Sequence, residues 1–228
     1  MDEIFINFLL PDLYNAALAQ LKAVCRFDPA EDSHARMLED ALAAHRGWTK
    51  GATLAAVATC FAPLAPKGPV LRLAGVAFSC PAFAQTDADN LIRAYAYALS
   101  LHADEGPDRR LSHLFYRDLW QTAYLDTARA ALRARLAAGT DGVLSDSFGP
   151  GYYGMDIGEM KKLARVLDFG RIGATVLDDG SIRPPKSCAG IFFAVRDAAR
   201  MPRGACRSCA GERGGCDFCA HGRLSGFD

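Results

Sequence analysis

The sequence has no excess of either charge: 26 Lys and Arg balance 26 Asp and Glu across 228 residues, and no basic run stands out. A phosphate-backbone footprint needs clustered cations, so neither nucleic acid nor an anionic membrane surface is an expected partner. Long apolar runs are missing too. The opening stretch MDEIFINFLLPDLYNAAL begins acidic, lacks a positive leader and is interrupted at Pro11, which reads as neither a signal peptide nor a membrane span. The expectation is a cytoplasmic protein. Histidine is scarce, at five residues, and no Ser-His-Asp or Cys-His set for nucleophilic catalysis is legible. His102, Asp104, Glu105 and His113 straddle a polar loop at no ligand-like spacing and are set aside as a metal site. No internal repeat is evident.

What is present is enough apolar material for one substantial core, with 50% hydrophobic residues against 23% charged. The economical division is a main domain over residues 1–196 and a small tail over 197–228. Cysteine is distributed unevenly between them. Of eight cysteines, four (Cys206, Cys209, Cys216 and Cys219) lie in the last 23 residues as two CxxC pairs joined by AGERGG. Two such pairs on a glycine loop can turn four thiolates toward one centre, and a metal would supply the stability that so polar a segment lacks. Zinc and an iron–sulfur cluster both fit the spacing; a disulfide-paired or reduced tail is the plainer alternative. His221, close behind Cys219, is a spare ligand or simply a tail residue. Cys25, Cys60, Cys80 and Cys188 sit among apolar neighbours and read as small core residues.

Periodicity predicts a helix over 31–46, where Met37, Leu38, Ala41 and Leu42 share a face and Gly47 follows as a stop. VLRLAGVAFS suits a half-buried strand, and DADNLIRAYAYALSLHA (87–103), with Leu91, Ala94, Tyr95, Ala98 and Leu99 on one face, reads as a helix. The longest helical pattern runs from Leu111 to a cap at Gly139, with Phe115, Leu119, Tyr124, Ala128 and Leu132 as candidate core. Beyond it a turn, SFGPGYYG (147–154), precedes a helix that Asp156 would cap with Glu159 completing a capping box. Two strand-like runs, 171–177 and 187–195, flank an Asp-Gly turn and the loop RPPK. The order of elements predicts an α+β domain.

From SFGPGYYG to SCAGIFFAV the chain resembles the activation domain of cobalamin-dependent methionine synthase, and its stand-alone bacterial relatives more closely. The matching fragments are Pro150-Gly151-Tyr152, Gly173-Ala174-Thr175-Val176-Leu177, Arg183-Pro184-Pro185-Lys186 and Ser187-Cys188-Ala189-Gly190. The resemblance is strongest over 147–195 and loose in the first hundred residues. It implies a twisted antiparallel sheet with flanking helices, and a domain that presents S-adenosylmethionine to a corrinoid during reductive reactivation. It also implies a ligand-contacting role for Tyr152, within a set comprising Ser147, Pro150, Gly151, Ser187 and Gly190, and an acidic partner on the long helix, matched by Asp126. The family has an arginine where this chain has Ser147, and a hydroxyl cannot replace a bidentate guanidinium. Arg183 and Lys186 are the cations near enough in sequence to stand in.

Two functions follow. In one, the protein is an accessory to a corrinoid methyltransferase: it binds S-adenosylmethionine, docks on the cobalamin-carrying protein and works with an electron donor, to which a tail cluster would contribute. In the other, it is a metal-stabilised protein-binding module that has lost the S-adenosylmethionine site.

Overall fold

The structure, a computed structural model, describes residues 3–28, 30–62, 67–104 and 110–200. The elements in order are β1 (Glu3–Phe8), α1 (Leu10–Cys25), α2 (Asp32–Trp48), β2 (Thr53–Phe61), β3 (Val70–Leu73), β4 (Val76–Ser79) and β5 (Leu91–His102). There follow α3 (Leu111–Ala138), β6 (Val143–Leu144), α4 (Glu159–Leu163), β7 (Thr175–Val176), β8 (Ile182–Arg183) and β9 (Ser187–Val195). Short 3-10 turns lie at Pro81–Gln85, Phe169–Ile172 and Ala198–Arg200. Among the described residues no helix is long and apolar enough to cross a membrane. The Cys206, Cys209, Cys216 and Cys219 tail lies outside them.

The main sheet has the order β1-β2-β5-β9-β6, antiparallel throughout. Its centre corrects the sequence reading, because LIRAYAYALSLH is strand β5 and not a helix. Alanine favours helices in isolation, yet here a period of two wins. Tyr95, Tyr97, Leu99 and Leu101 join the core on one side of the sheet, and Ala94, Ala96 and Ala98 the core on the other. Paired by β2 and β9 on either edge, the strand is covered on both faces, so the polar residues that mark a half-exposed strand are absent.

Helices α1, α2 and α3 cover the face of Tyr97 and Phe192. Pro11, which breaks the first apolar run, sits in the opening turn of α1, where its missing N–H costs nothing. Trp120 of α3 ties this layer together: its indole N–H donates to the Ala41 carbonyl at 2.8 Å, and its ring stacks on Tyr14 and Tyr124. Helix α2 runs through Gly47 to Trp48, because the indole of Trp48 is buried and continues the helix one step past the expected stop. In α3, Tyr124, Ala128 and Leu132 are core as read, whereas Phe115 is 56% exposed and Leu119 only partly buried. The tilt of the buried stripe toward Tyr116 and Trp120 explains the difference.

The opposite face, with Val57, Ile191 and Phe193, is covered by shorter pieces. VLRLAGVAFS is a hairpin and not one strand: Ala74 and Gly75 both have positive φ, 47° and 81°, and β3 folds back on β4. The region 156–169 contributes only the short α4, since Glu159 turns to the backbone N–H of Ser79 and to Lys162 and does not complete a capping box. The run 171–177 also differs from its reading. It begins as a 3-10 turn and ends in β7, which pairs with β8 inside the intervening loop, while β9 joins the main sheet.

His102 and His113 do separate jobs. His102 Nε2 lies 3.0 Å from the Ile172 carbonyl, and His113 Nε2 lies 3.4 Å from Asp40. Among the described residues no group of three or more His, Cys, Asp or Glu is placed to hold a metal.

Candidate functional site

The last strand of the sheet builds the site. Residues 145–148 continue the β6 edge, with reciprocal backbone hydrogen bonds between Phe148 and Ile191 at 2.9 and 2.8 Å. The approach is too close for side chains. A Cβ on Gly190 would stand 2.7 Å from Ser147 Oγ and 2.8 Å from the Phe148 carbonyl, and one on Gly149 would stand 2.7 Å from the Ala189 carbonyl. The chain then reverses at Pro150-Gly151-Tyr152. Gly151 has a φ of 87°, and its N–H donates to the Met155 carbonyl at 2.9 Å, a conformation in which other residues are strained. The turn leaves Tyr152 69% exposed.

Opposite that turn stands the β7–β8 hairpin. Its tip is held by Asp179, which accepts from the Ser181 N–H at 2.8 Å and the Ser181 hydroxyl at 2.6 Å. These two hydrogen bonds keep the Asp179 carboxyl below its ordinary range. Gly180 rests against the Ile157 carbonyl, where a Cβ would come to 2.7 Å. After β8 the cis Arg183–Pro184 bond and Pro185 lead into β9.

Between the turn and the hairpin lies a cleft of about 500 Å³, bordered among others by Pro150, Tyr152, Asp179, Arg183, Ser187 and Cys188. That is the size range of small-molecule sites. A larger groove of about 690 Å³ has walls from α2 alone, Arg36 to Arg46, and no second element encloses it. The cleft is therefore the better candidate, being built by three separate segments.

The sequence candidates divide accordingly. Pro150, Tyr152 and Ser187 border the cleft, and Gly151 shapes its turn. The Ser187 hydroxyl is engaged within the protein, donating to the Pro184 carbonyl at 2.8 Å and lying 3.0 Å from Ser100 Oγ. Ser147 and Gly190 stand one layer back against each other, and the Ser147 hydroxyl is 2.5 Å from that of Tyr97. Asp126 lies on α3, accepting from Gln20 at 2.9 Å and from Arg129 at 2.8 Å. Lys186 is committed to α3, bound to Asp118 at 2.7 Å and to Thr122 at 2.9 Å. Arg183 has no such partner among the described residues and borders the cleft.

Arg129, which sequence reasoning does not single out, donates to Asp126 on the same helix. Its only signal was a basic residue three positions after Asp126, which on a helix puts both on one face. Cys188 was read as a packing residue, and its thiol behaves as one. Burial pushes it up to about 12, with Arg129 pulling the other way, so it stays protonated. Burial likewise raises Tyr97 well above an ordinary phenol.

No family model matches the chain, and none of the curated proteins does. Among solved structures, the crystal structure of the MetH reactivation domain bound to AdoHcy matches with a TM-score of 0.55 at 10% sequence identity, over 87% of this chain and 80% of that one. At so low an identity the match speaks for architecture. The α+β arrangement read from the motif order is the fold of the MetH reactivation domain.

Proposed function

We propose that the protein is an accessory to corrinoid chemistry, binding S-adenosylmethionine or a close analogue in the cleft beside Tyr152 and docking there on a cobalamin-carrying methyltransferase or binding protein. The observation that carries the reading is the convergence of the Pro150–Tyr152 turn, the Arg183–Pro185 loop and the start of β9 on one cleft. The fold of a domain solved with AdoHcy supports it further. The residues fit such a ligand. Tyr152 offers an exposed ring face to an adenine or sulfonium, Asp179 an anionic counterpart, and Arg183 a cation with no protein partner among the described residues. When bound, the ligand would supply an activated methyl group; the protein would orient it and leave one side open to the partner. The four tail cysteines, as a cluster or a zinc site, would serve electron delivery or the grip on that partner.

Calorimetric titration with S-adenosylmethionine tests this. Tyr152→Phe is expected to weaken binding by about 1 kcal/mol through the lost hydroxyl, and Tyr152→Ala by more, because ring stacking is lost as well. Absence of wild-type binding at millimolar ligand would reject the reading.

One observation favours the alternative of a protein-binding module without this ligand. The Ser147 hydroxyl, which replaces the family arginine, faces Tyr97 at 2.5 Å and is engaged within the fold. In that case Ser147→Arg is expected to create binding that the wild type lacks.

A further inference from the structure

Along α3 the polar residues Asp118, Thr122, Asp126, Arg129 and Arg133 follow one another at intervals of four, four, three and four, so they form a single stripe. Both ends of the stripe are fastened to the segments that flank the cleft. At one end Asp118 and Thr122 hold Lys186, which ends the Arg183–Lys186 loop. At the other Arg133 donates through Nε to the Ser145 carbonyl at 2.9 Å and through Nη2 to the Leu144 carbonyl, on the edge that runs on into Ser147 and Tyr152. Asp126 and Arg129 lie in the middle of the stripe, and Arg129 is near enough to Tyr152 and Cys188, which border the cleft, to interact with them electrostatically.

Arg129 is prepared for an anion. Its side chain is 40% exposed, Nη2 donates to Asp126 Oδ1 at 2.8 Å, and the guanidinium, which carries five N–H donors, also hydrogen-bonds the Tyr97 side chain. Asp126 is steadied in turn by Gln20 at 2.9 Å. A cation and a carboxylate held side by side match the two charges of an amino-acid head group. The rival cation, Arg183, lies on a two-residue strand with no ion-pair partner among the described residues to orient it.

We propose that Arg129 is the carboxylate-recognising residue of this site, taking from α3 the part that Ser147 cannot play, so that the cleft selects ligands carrying a free amino-acid head. This rests on the ligand reading above. Its geometric basis is the ion pair with Asp126 on a helix fastened at both ends to the segments that flank the cleft.

The probes are S-adenosylhomocysteine and 5′-methylthioadenosine, the second keeping the adenosine thioether but lacking the amino-acid head. Titrated into the full chain, the first is expected to bind the wild type at least tenfold more tightly. Arg129→Met should reduce S-adenosylhomocysteine affinity about 10–100-fold, the range of a charge-assisted pair, and leave 5′-methylthioadenosine within about twofold. Arg129→Lys should recover part of the loss, and retained 5′-methylthioadenosine binding certifies that the variants fold. An unchanged ratio between the two ligands in Arg129→Met, or collapse of the ratio in Arg183→Met instead, overturns the proposal while the ligand reading stands. Failure of both ligands to bind the wild type overturns both.

Discussion

Gly190 illustrates how single positions hold the site open. Its bare Cα lets the 147–149 segment lie against β9, and the Cβ of an alanine would meet two oxygens at 2.7 and 2.8 Å, one of them backbone. The backbone cannot yield without breaking the Phe148–Ile191 pair, so Gly190→Ala is expected to cost about 1–3 kcal/mol in urea denaturation. Gly139→Ala, whose Cβ would find its nearest neighbour at 3.9 Å, should stay within about 0.5 kcal/mol. His45 is a second such position. Burial among Tyr14, Trp120 and Tyr124, with Arg46 adding, holds its imidazole down at about 4. Between pH 6.5 and 4 the unfolded chain takes up a proton that the folded one refuses. Stability from this group is therefore complete above pH 6.5 and is lost as pH falls to 4, by about 1–3 kcal/mol after allowance for its partial solvent access. Urea midpoints across that range, compared with His45→Gln, check it: the wild type should lose more on acidification than the variant.

At the scale of elements, the sheet's second face depends on small pieces with defined turns. The two-residue loop between β3 and β4 places Ala74 at a φ of 47°, which suits glycine or asparagine and costs an alanine roughly 1 kcal/mol. The residue is exposed and carries no core contact, so Ala74→Asn should stabilise the protein by about 0.5–1 kcal/mol. Thermal unfolding measures this, and a lower Tm would show that the turn is held by something other than its own dihedrals. Helix α3 works differently. Its buried stripe of Trp120, Tyr124, Ala128 and Leu132 packs on α1, α2 and the sheet, and its polar stripe binds the loop and the edge strand, so one element serves both core and site.

For the molecule as a whole, two cores on opposite faces of one sheet account for most of the large apolar side chains among the described residues. The described fold also uses the residues just past β9: the Asn90 side chain donates to the carbonyls of Asp197 and Arg200 and accepts from the Asp197 N–H. A chain cut after Arg200 is accordingly expected to unfold cooperatively and without dye binding, with both cores intact. The same cut removes Cys206, Cys209, Cys216 and Cys219. Metal analysis of the full and shortened chains, prepared without oxygen, should find the metal only in the full one. Iron with visible absorption would mean a cluster and colourless zinc a knuckle; equal metal in both would reject the tail as the site.

The sequence by itself determined the local chemistry: the long helix with its Gly139 end, the nine residues of β9, the reversal at Pro150-Gly151-Tyr152 and the two CxxC pairs. Each is set by neighbours in the chain, through side-chain period or through backbone conformations that few residues tolerate. Of the ligand candidates that the resemblance implies, Pro150, Tyr152 and Ser187 border the cleft. Only the tertiary structure decided that LIRAYAYALSLH is the central strand, because burial on both faces erases the polar half of the alternating pattern and leaves alanines that read as helical. It likewise packed Ser147 closely against Gly190 and committed Lys186 to α3. Arg129 is drawn near Tyr152 and Cys188 by the same logic. Nothing in the sequence marks that nearness, whereas the fastening of α3 to loop and edge strand produces it, and such long-range placement is a property of packing.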